Sequence, residues 1–257
     1  MKRATMAFIY TFSISFLIGQ NNDQEVWTCW YIKPMHGKEK QLEKGLIDHV
    51  KKHHGQGEWP EYYFDVLSGP NQGSFAGWSG PHTWKTFDDR IRSKEDVKHW
   101  NQYVAPYADM STDKGTSFLV AHKDLSYGPD VLTEYYHLSW NMTYPGTANK
   151  YKEIARTSKM VKEASNSKNH HTIYQVVSGN DPDSWLWEYP INSMEELSMS
   201  TGGKGSGNSD MEKVLGKDGV KEFWDSYRDI VRSRVREIQK LRPDMSTPAD
   251  SSQTDGN

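Results

Sequence analysis

Tyr63-Phe64-Asp65-Val66-Leu67-Ser68-Gly69 returns 110 residues later as Ile173-Tyr174-Gln175-Val176-Val177-Ser178-Gly179. Each run is rich in aromatic and β-branched residues and closes on Ser-Gly, which reads as a strand entering a turn. At the same spacing Trp30 meets Trp140, Ile32 meets Met142, and Ser74-Phe75 meets Ser184-Trp185. Further out the offset drifts. Thr86-Phe87-Asp88-Asp89 resembles Ser193-Met194-Glu195-Glu196, and His99-Trp100-Asn101-Gln102-Tyr103 resembles Phe223-Trp224-Asp225-Ser226-Tyr227. A period that is constant within elements and jumps between them is the mark of a tandem duplication with loop insertions. The largest jump falls on the Gly/Ser-rich residues 200–210, which read as a flexible loop.

Each copy reads as strand, helix, strand, strand, helix, strand. First strands are expected at 27–33 and 135–143, and first helices at 38–52 and 147–165. Leu42, Leu46, Val50 and His53 share one face of the earlier helix; Tyr151, Ile154 and Ala164 do so approximately in the later one. Turn residues 70–73 and 180–183 support hairpins into the third strands. Final strands are expected at 117–123 and 234–241. The copies are bounded at 25–130 and 131–246, and the polar stretch 247–257 reads as a disordered tail.

The chain has 257 residues, of which only 35% are hydrophobic, but 10 Trp, 14 Tyr and 8 Phe carry a large burial capacity. A net charge of -3 gives no reason to expect a nucleic-acid partner. The single cysteine, Cys29, excludes an internal disulfide and a cysteine-based zinc cluster. Residues 1–20 begin with Lys2-Arg3, continue through an apolar stretch and end before the polar run Asn21-Asn22-Asp23-Gln24. That is the layout of a secretory signal peptide, and the apolar part is shorter than the roughly 20 residues a bilayer requires. A periplasmic or secreted protein with no membrane contact after cleavage is expected.

A βαββαβ unit is the ferredoxin-like arrangement, and its sheet leaves one face bare. Two copies in one chain can close those faces on each other. The pair resembles the dimeric α/β-barrel superfamily of NIPSNAP-like, EthD-like and antibiotic-biosynthesis-monooxygenase-like proteins, here internally duplicated. The resemblance covers residues 25–246 and rests on element order, so it implies an α+β fold of two tandem ferredoxin-like repeats forming an intrachain barrel. It permits a cofactor-independent monooxygenase-like activity. Some relatives of that fold bind haem through a histidine, but no histidine is marked for it here, and no cofactor is expected.

Strand alternation assigns faces. Taking the Trp30/Trp140 side as covered by helices puts Trp27, Cys29, Tyr31, His137, Ser139 and Asn141 inside the barrel. The same logic turns Phe64, Val66, Tyr174 and Val176 toward the helices, and Asp65 and Gln175 inward. Trp185 and Trp187 offer further aromatic wall. Hence the expected ligand-binding set is Trp27, Tyr31, Asn141, Gln175, Trp185 and Trp187 around a small hydrophobic or aromatic molecule. His137 is the proton-transfer candidate because its ordinary pKa is near neutrality, and Asp65 is its candidate orienting group. The alternative is a filled barrel serving a structural or interaction role. Assembly into a homo-oligomer stays open.

Other signals carry less. The adjacent pairs His53-His54 and His170-His171 diverge on regular structure, and no His-x-x-x-His pair with an acidic partner is read, so no metal site is expected. Gly202-Gly203-Lys204-Gly205-Ser206-Gly207 lacks phosphate-loop spacing. Cys29 reads as a buried thiol.

Overall fold

A computed structural model describes residues 24–55, 59–112, 115–129, 132–179, 181, 183–197 and 207–248. The expected signal peptide lies outside the described residues, as does most of the Gly/Ser stretch. The first half runs β1 (Val26–Ile32), α1 (Glu39–His53), β2 (Glu61–Val66), β3 (Phe75–His82), α2 (Trp84–Asp89), α3 (Lys94–Tyr103) and β4 (Ser117–Ala121). The second half runs β5 (Tyr135–Thr143), α4 (Ala148–Ser165), β6 (Thr172–Ser178), β7 (Ser184–Ile191), α5 (Gly207–Ile230) and β8 (Val231–Leu241). Thus βαββαβ occurs twice, with α2 added in the first half.

The eight strands form a closed barrel in the order β1-β3-β2-β8-β5-β7-β6-β4. Each half contributes four neighbouring strands, and the seams are β2 with β8 and β4 with β6, both antiparallel. Closure leaves no unpaired strand edge. The strands form where aromatic and β-branched residues alternate with smaller or polar ones, a pattern suited to a pleated sheet buried on both faces.

Barrel interior and helix-covered exterior are distinct cores. Cys29, Phe64, Val66, Trp78, Tyr136, Leu138, Tyr174 and Leu186 cluster inside, with Trp27, Tyr31 and Trp140 packed against them. Tyr31 donates to Glu237 at 2.7 Å and Trp78 Nε1 donates to Gln239 at 3.2 Å, while the buried Trp140 Nε1 has no hydrogen-bond partner among the described residues. Outside, Leu42, Leu46 and Val50 of α1 cover Ile32 and Tyr63, while Tyr151, Ile154 and Val161 of α4 cover Ile173, Trp185 and Trp187. Fully burying one such large side chain contributes about 1.5–3 kcal/mol.

Three expectations are corrected. First, β1 faces as expected, but β5, β2 and β6 are turned over. His137, Ser139 and Asn141 lie outside the barrel with Trp187 opposite Ser139, whereas Trp140 lies inside. Phe64, Val66, Tyr174 and Val176 point in, which leaves Asp65 and Gln175 pointing out. In β5 the cause is a one-residue slip, which reverses every side chain of a strand, whereas Phe64/Tyr174 and Val66/Val176 keep the 110-residue spacing and face inward in both halves. Ala76 and Leu186 keep the 110-residue spacing and both face inward; Ala76 pairs with Tyr31, and Leu186 pairs with Trp140. The counterpart of Trp140 is therefore Tyr31, and the Trp30/Trp140 match is fortuitous. Second, residues 207–210 belong to α5, with Asp210 buried and accepting from Ser167 Oγ at 3.0 Å. Third, Thr247 is not part of a disordered tail. It is buried, and its Oγ1 accepts from the Glu61 amide and donates to His54 O, both at 2.9 Å. Residues 249–257 lie outside the described residues.

Candidate functional site

A cavity of about 890 Å³ lies outside the barrel, between the second half's sheet and its helices. Strand pairing builds its floor. His137, Ser139 and Asn141 of β5 stand opposite Tyr189, Trp187 and Trp185 of β7, and Ser139 and Asn141 also stand opposite Arg236 and Arg234 of β8. Ile154, Ser158, Val161 and Lys162 of α4 and Met211, Phe223 and Tyr227 of α5 form the other wall. α5 is broken at Gly216, whose φ of 69° suits glycine.

The aromatic floor is cross-braced. Trp187 Nε1 donates to Tyr151 OH at 2.5 Å, and Trp187 stacks on His171 with centroids 4.9 Å apart. Tyr227 donates to Asn141 Oδ1 at 2.6 Å, linking α5 to the floor. At the exposed edge Arg234 and Arg236 face the same space, and neither is ion-paired with a carboxylate among the described residues. Burial, then the charges of Arg236 and Arg234, lowers the His137 pKa to about 4, so the ring is neutral. Its Nδ1 is buried without a hydrogen-bond partner.

The least conventional group is Lys162, buried on the inner face of α4. Its Nζ is 2.6 Å from His171 Nδ1, and His171 Nε2 lies 3.2 Å from Leu125 O. A carbonyl can only accept, so Nε2 carries the hydrogen and Nδ1 accepts from the Lys162 amine. Burial lowers the Lys162 pKa to about 7, partly offset by Asp210, and pushes that of His171 far down. Near neutral pH the amine is thus available in both protonation states, beside a neutral imidazole.

The expected site residues divide among three places. His137, Asn141 and Trp187 meet at the cavity. Trp185 is fully buried under α4, stacked on Tyr151 at 4.8 Å, and Gln175 lies 3.3 Å from His122 Nε2 on the same outer face. Trp27 and Tyr31 belong to the barrel interior, as expected. Asp65 does not orient His137: it accepts from Arg242 at 3.2 Å, on the first half, where Arg242 also meets Glu43. Lys162, His171, Arg234 and Arg236 are absent from the expected set. Arg232, Arg234 and Arg236 do carry a sequence signal, a period of two along one strand face.

No protein-family model and no curated protein sequence matches the chain. Solved structures do. A proposed monooxygenase from Fusobacterium nucleatum subsp. nucleatum superimposes with a TM-score of 0.55 at 10% identity, over 85% of this chain and 92% of that one. An anthrone oxidase-like protein gives 0.55 at 9% identity, over 86% and 92%. A chlorite dismutase mutant from Candidatus Nitrospira defluvii gives 0.53 at 8% identity, over 87% and 94%. The chain shares the α/β-barrel fold of these structures. At these identities the likeness concerns the fold of the α/β-barrel and not its chemistry. It also corrects one expectation. An α/β-barrel without any cofactor is not the rule among these neighbours, because the chlorite dismutases are haem proteins.

Proposed function

We propose that this chain binds a flat, largely apolar small molecule bearing an anionic group, in the cavity between α4, α5 and the outer face of β5, β7 and β8. The observation that carries the reading is the pairing of an aromatic floor, Trp187 and Tyr189, with the cations Arg234 and Arg236 at the exposed edge, neither of them ion-paired with a carboxylate among the described residues. Binding sites of this kind combine apolar walls with a few placed polar groups. On this reading the two halves are ferredoxin-like units arising by internal duplication, and only the second has specialised for the ligand. Export through the N-terminal stretch, to the periplasm or the outside, belongs to the same proposal and is supported by the character of residues 1–20 alone.

Haem is one molecule of the proposed class, and the residues present fit it. Arg234 and Arg236 would hold its propionates, Trp187 and Tyr189 would pack against it, and the neutral His137 at the cavity wall is the candidate iron ligand. Bound there, haem would supply a redox-active iron. The chain's own residues would bind it, orient it and restrict water around it.

A monooxygenase-like activity is favoured by one observation, the buried Lys162 on His171. A neutral amine facing an aromatic cavity can take a proton from an acidic phenol or activated C–H group. A filled barrel with a purely structural role has less behind it, since the occupied interior and the ligand cavity are different spaces.

Fluorescence titration of the purified full-length chain with anilinonaphthalene sulfonate, followed by haemin competition, tests the proposal. Saturable binding is expected. The Arg234→Gln/Arg236→Gln double variant should weaken it by about 10-fold or more, in line with about 1.5–3 kcal/mol for a hydrogen bond to a charged group. Binding unaffected by that variant, or no binding at all, overturns it. Retained binding with lost turnover in Lys162→Met would instead establish the enzymatic reading.

A further inference from the structure

A second concentration of ring nitrogens lies in the first half, away from the ligand cavity. His49 and His53 stand one helical turn apart on α1, His54 follows as its C-terminal cap, and α3 sets His99 against them. Weighing adjacent histidines misses this arrangement, because the pair that converges is His49-x-x-x-His53, not His53-His54. Ring centroids of His49, His53 and His99 are 5.2–5.3 Å apart. One ring nitrogen from each lies within 4.8 Å of the others.

The spacing is that of ligands. Two nitrogens each about 2.0–2.1 Å from a tetrahedral zinc stand about 3.3–3.4 Å from one another. His49 Nδ1 and His99 Nδ1 are 3.2 Å apart. Nε2 of His53 is buried and has no hydrogen-bond partner. Behind His49, Asp96 Oδ1 lies 3.4 Å from Nε2, a charge contact outside hydrogen-bond geometry, and Arg92 Nε donates to the other oxygen of that carboxylate at 3.0 Å. A carboxylate behind a histidine places the ring hydrogen on the far nitrogen and leaves the near one to the metal. Here that leaves Nδ1, facing His99.

Charge agrees with the geometry. Burial first, then neighbouring charges, lowers the pKa of His49 to about 3 and shifts His53 and His99 downward. Lys52 adds to the depression of His53 and His99, while Asp48 opposes it at His99. His54 and Glu61 make another group with His49; His54 Nδ1 lies 2.9 Å from Trp59 O and Glu61 Oε2 accepts from Tyr63 at 3.1 Å, which leaves His54 Nε2 and Glu61 Oε1 for an ion, but all three residues of that group are buried. Those contacts tie that side to the start of β2. His53 and His99 are only partly buried, which gives an ion a route in and leaves room for water as a fourth ligand.

We propose that His49, His53 and His99 form a binding site for a zinc-type divalent transition metal, with Asp96 as the positioning residue behind His49. The test strips the full-length chain with a chelator, then measures zinc stoichiometry by elemental analysis and affinity by competition with a chromogenic chelator. One zinc per chain is expected, and cobalt in its place should give the intense visible absorption of a four-coordinate site. His53→Asn and His99→Asn should abolish stoichiometric uptake. Asp96→Asn should weaken it by about 10–100-fold, as loss of an outer partner does elsewhere. His170→Asn, in the other half, should change nothing. A folded wild-type chain that takes up no stoichiometric zinc overturns the proposal, and so does uptake that survives His99→Asn. If the variants do not fold, wild-type stoichiometry and the cobalt spectrum decide between these outcomes.

Discussion

The two halves turn the same helical face toward the same side of the sheet and end with different spaces beneath it. Buried Leu42, Gly45, Leu46 and His49 of α1 recur with identical spacing as Tyr151, Ile154, Ala155 and Ser158 of α4. The telling step is Gly45 against Ile154. A Cβ at Gly45 would lie 2.0 Å from Tyr103 O, so α3 rests directly on the backbone of α1. In the second half that position carries an isoleucine, and it lines the cavity that α5 spans. One side chain at a helix contact thus separates a closed, histidine-rich junction from an open, aromatic one.

The largest expected effect strikes that contact. Gly45→Ile should destabilise the fold by about 3 kcal/mol or more, since backbone cannot yield as a side chain can. Ile154→Val, at the matching step, should cost only about 0.5–1.5 kcal/mol. Urea denaturation of both variants checks this, and equal losses would break the comparison.

Next in size is a dependence on pH peculiar to the second half. Unfolded, Lys162 holds its proton up to about pH 10.5; folded, it releases it near 7. Between those values the unfolded chain binds more protons, so stability rises with pH. Relative to Lys162→Met, the wild type should gain about 2–3 kcal/mol from pH 7 to pH 9, at about 1.4 kcal/mol per unit. Denaturation midpoints at the two pH values provide the measurement, and parallel curves would show that the amine is not buried as described.

Smaller effects sharpen the picture. Tyr227→Phe should cost about 1 kcal/mol, by removing the hydrogen bond to Asn141 that fastens α5 over the cavity. Asp65→Asn should cost about 0–1 kcal/mol, because its partner Arg242 keeps Glu43 and Asp244. It should also leave ligand binding untouched. A large loss of binding in that variant would reconnect Asp65 with His137, contrary to their separation in the fold.

Element order was legible because hydrophobic periodicity and turn residues act locally. The expected strand 135–143 coincides with β5, and the expected helix 147–165 differs from α4 by one residue. Which way each strand faces was harder to read, since register depends on partners distant in sequence. The Trp30/Trp140 coincidence carried the slip into the candidate site, so His137, Asn141 and Trp187 were named for the wrong space. Lys162 escaped notice for a related reason. A lysine among polar residues looks solvated until the helix face it shares with Val161 is seen to be buried. The histidine cluster needed α3 to bring His99 to α1, a contact no local pattern encodes.

The central claim is that the ligand site lies over the second sheet and not within the ring of strands. A crystal structure of the full-length chain with anilinonaphthalene sulfonate bound tests it most directly. The probe should be found against Trp187 and Tyr189, its sulfonate toward Arg234 and Arg236. Density inside the barrel beside Tyr31 and Glu237, with the outer space empty, would contradict it.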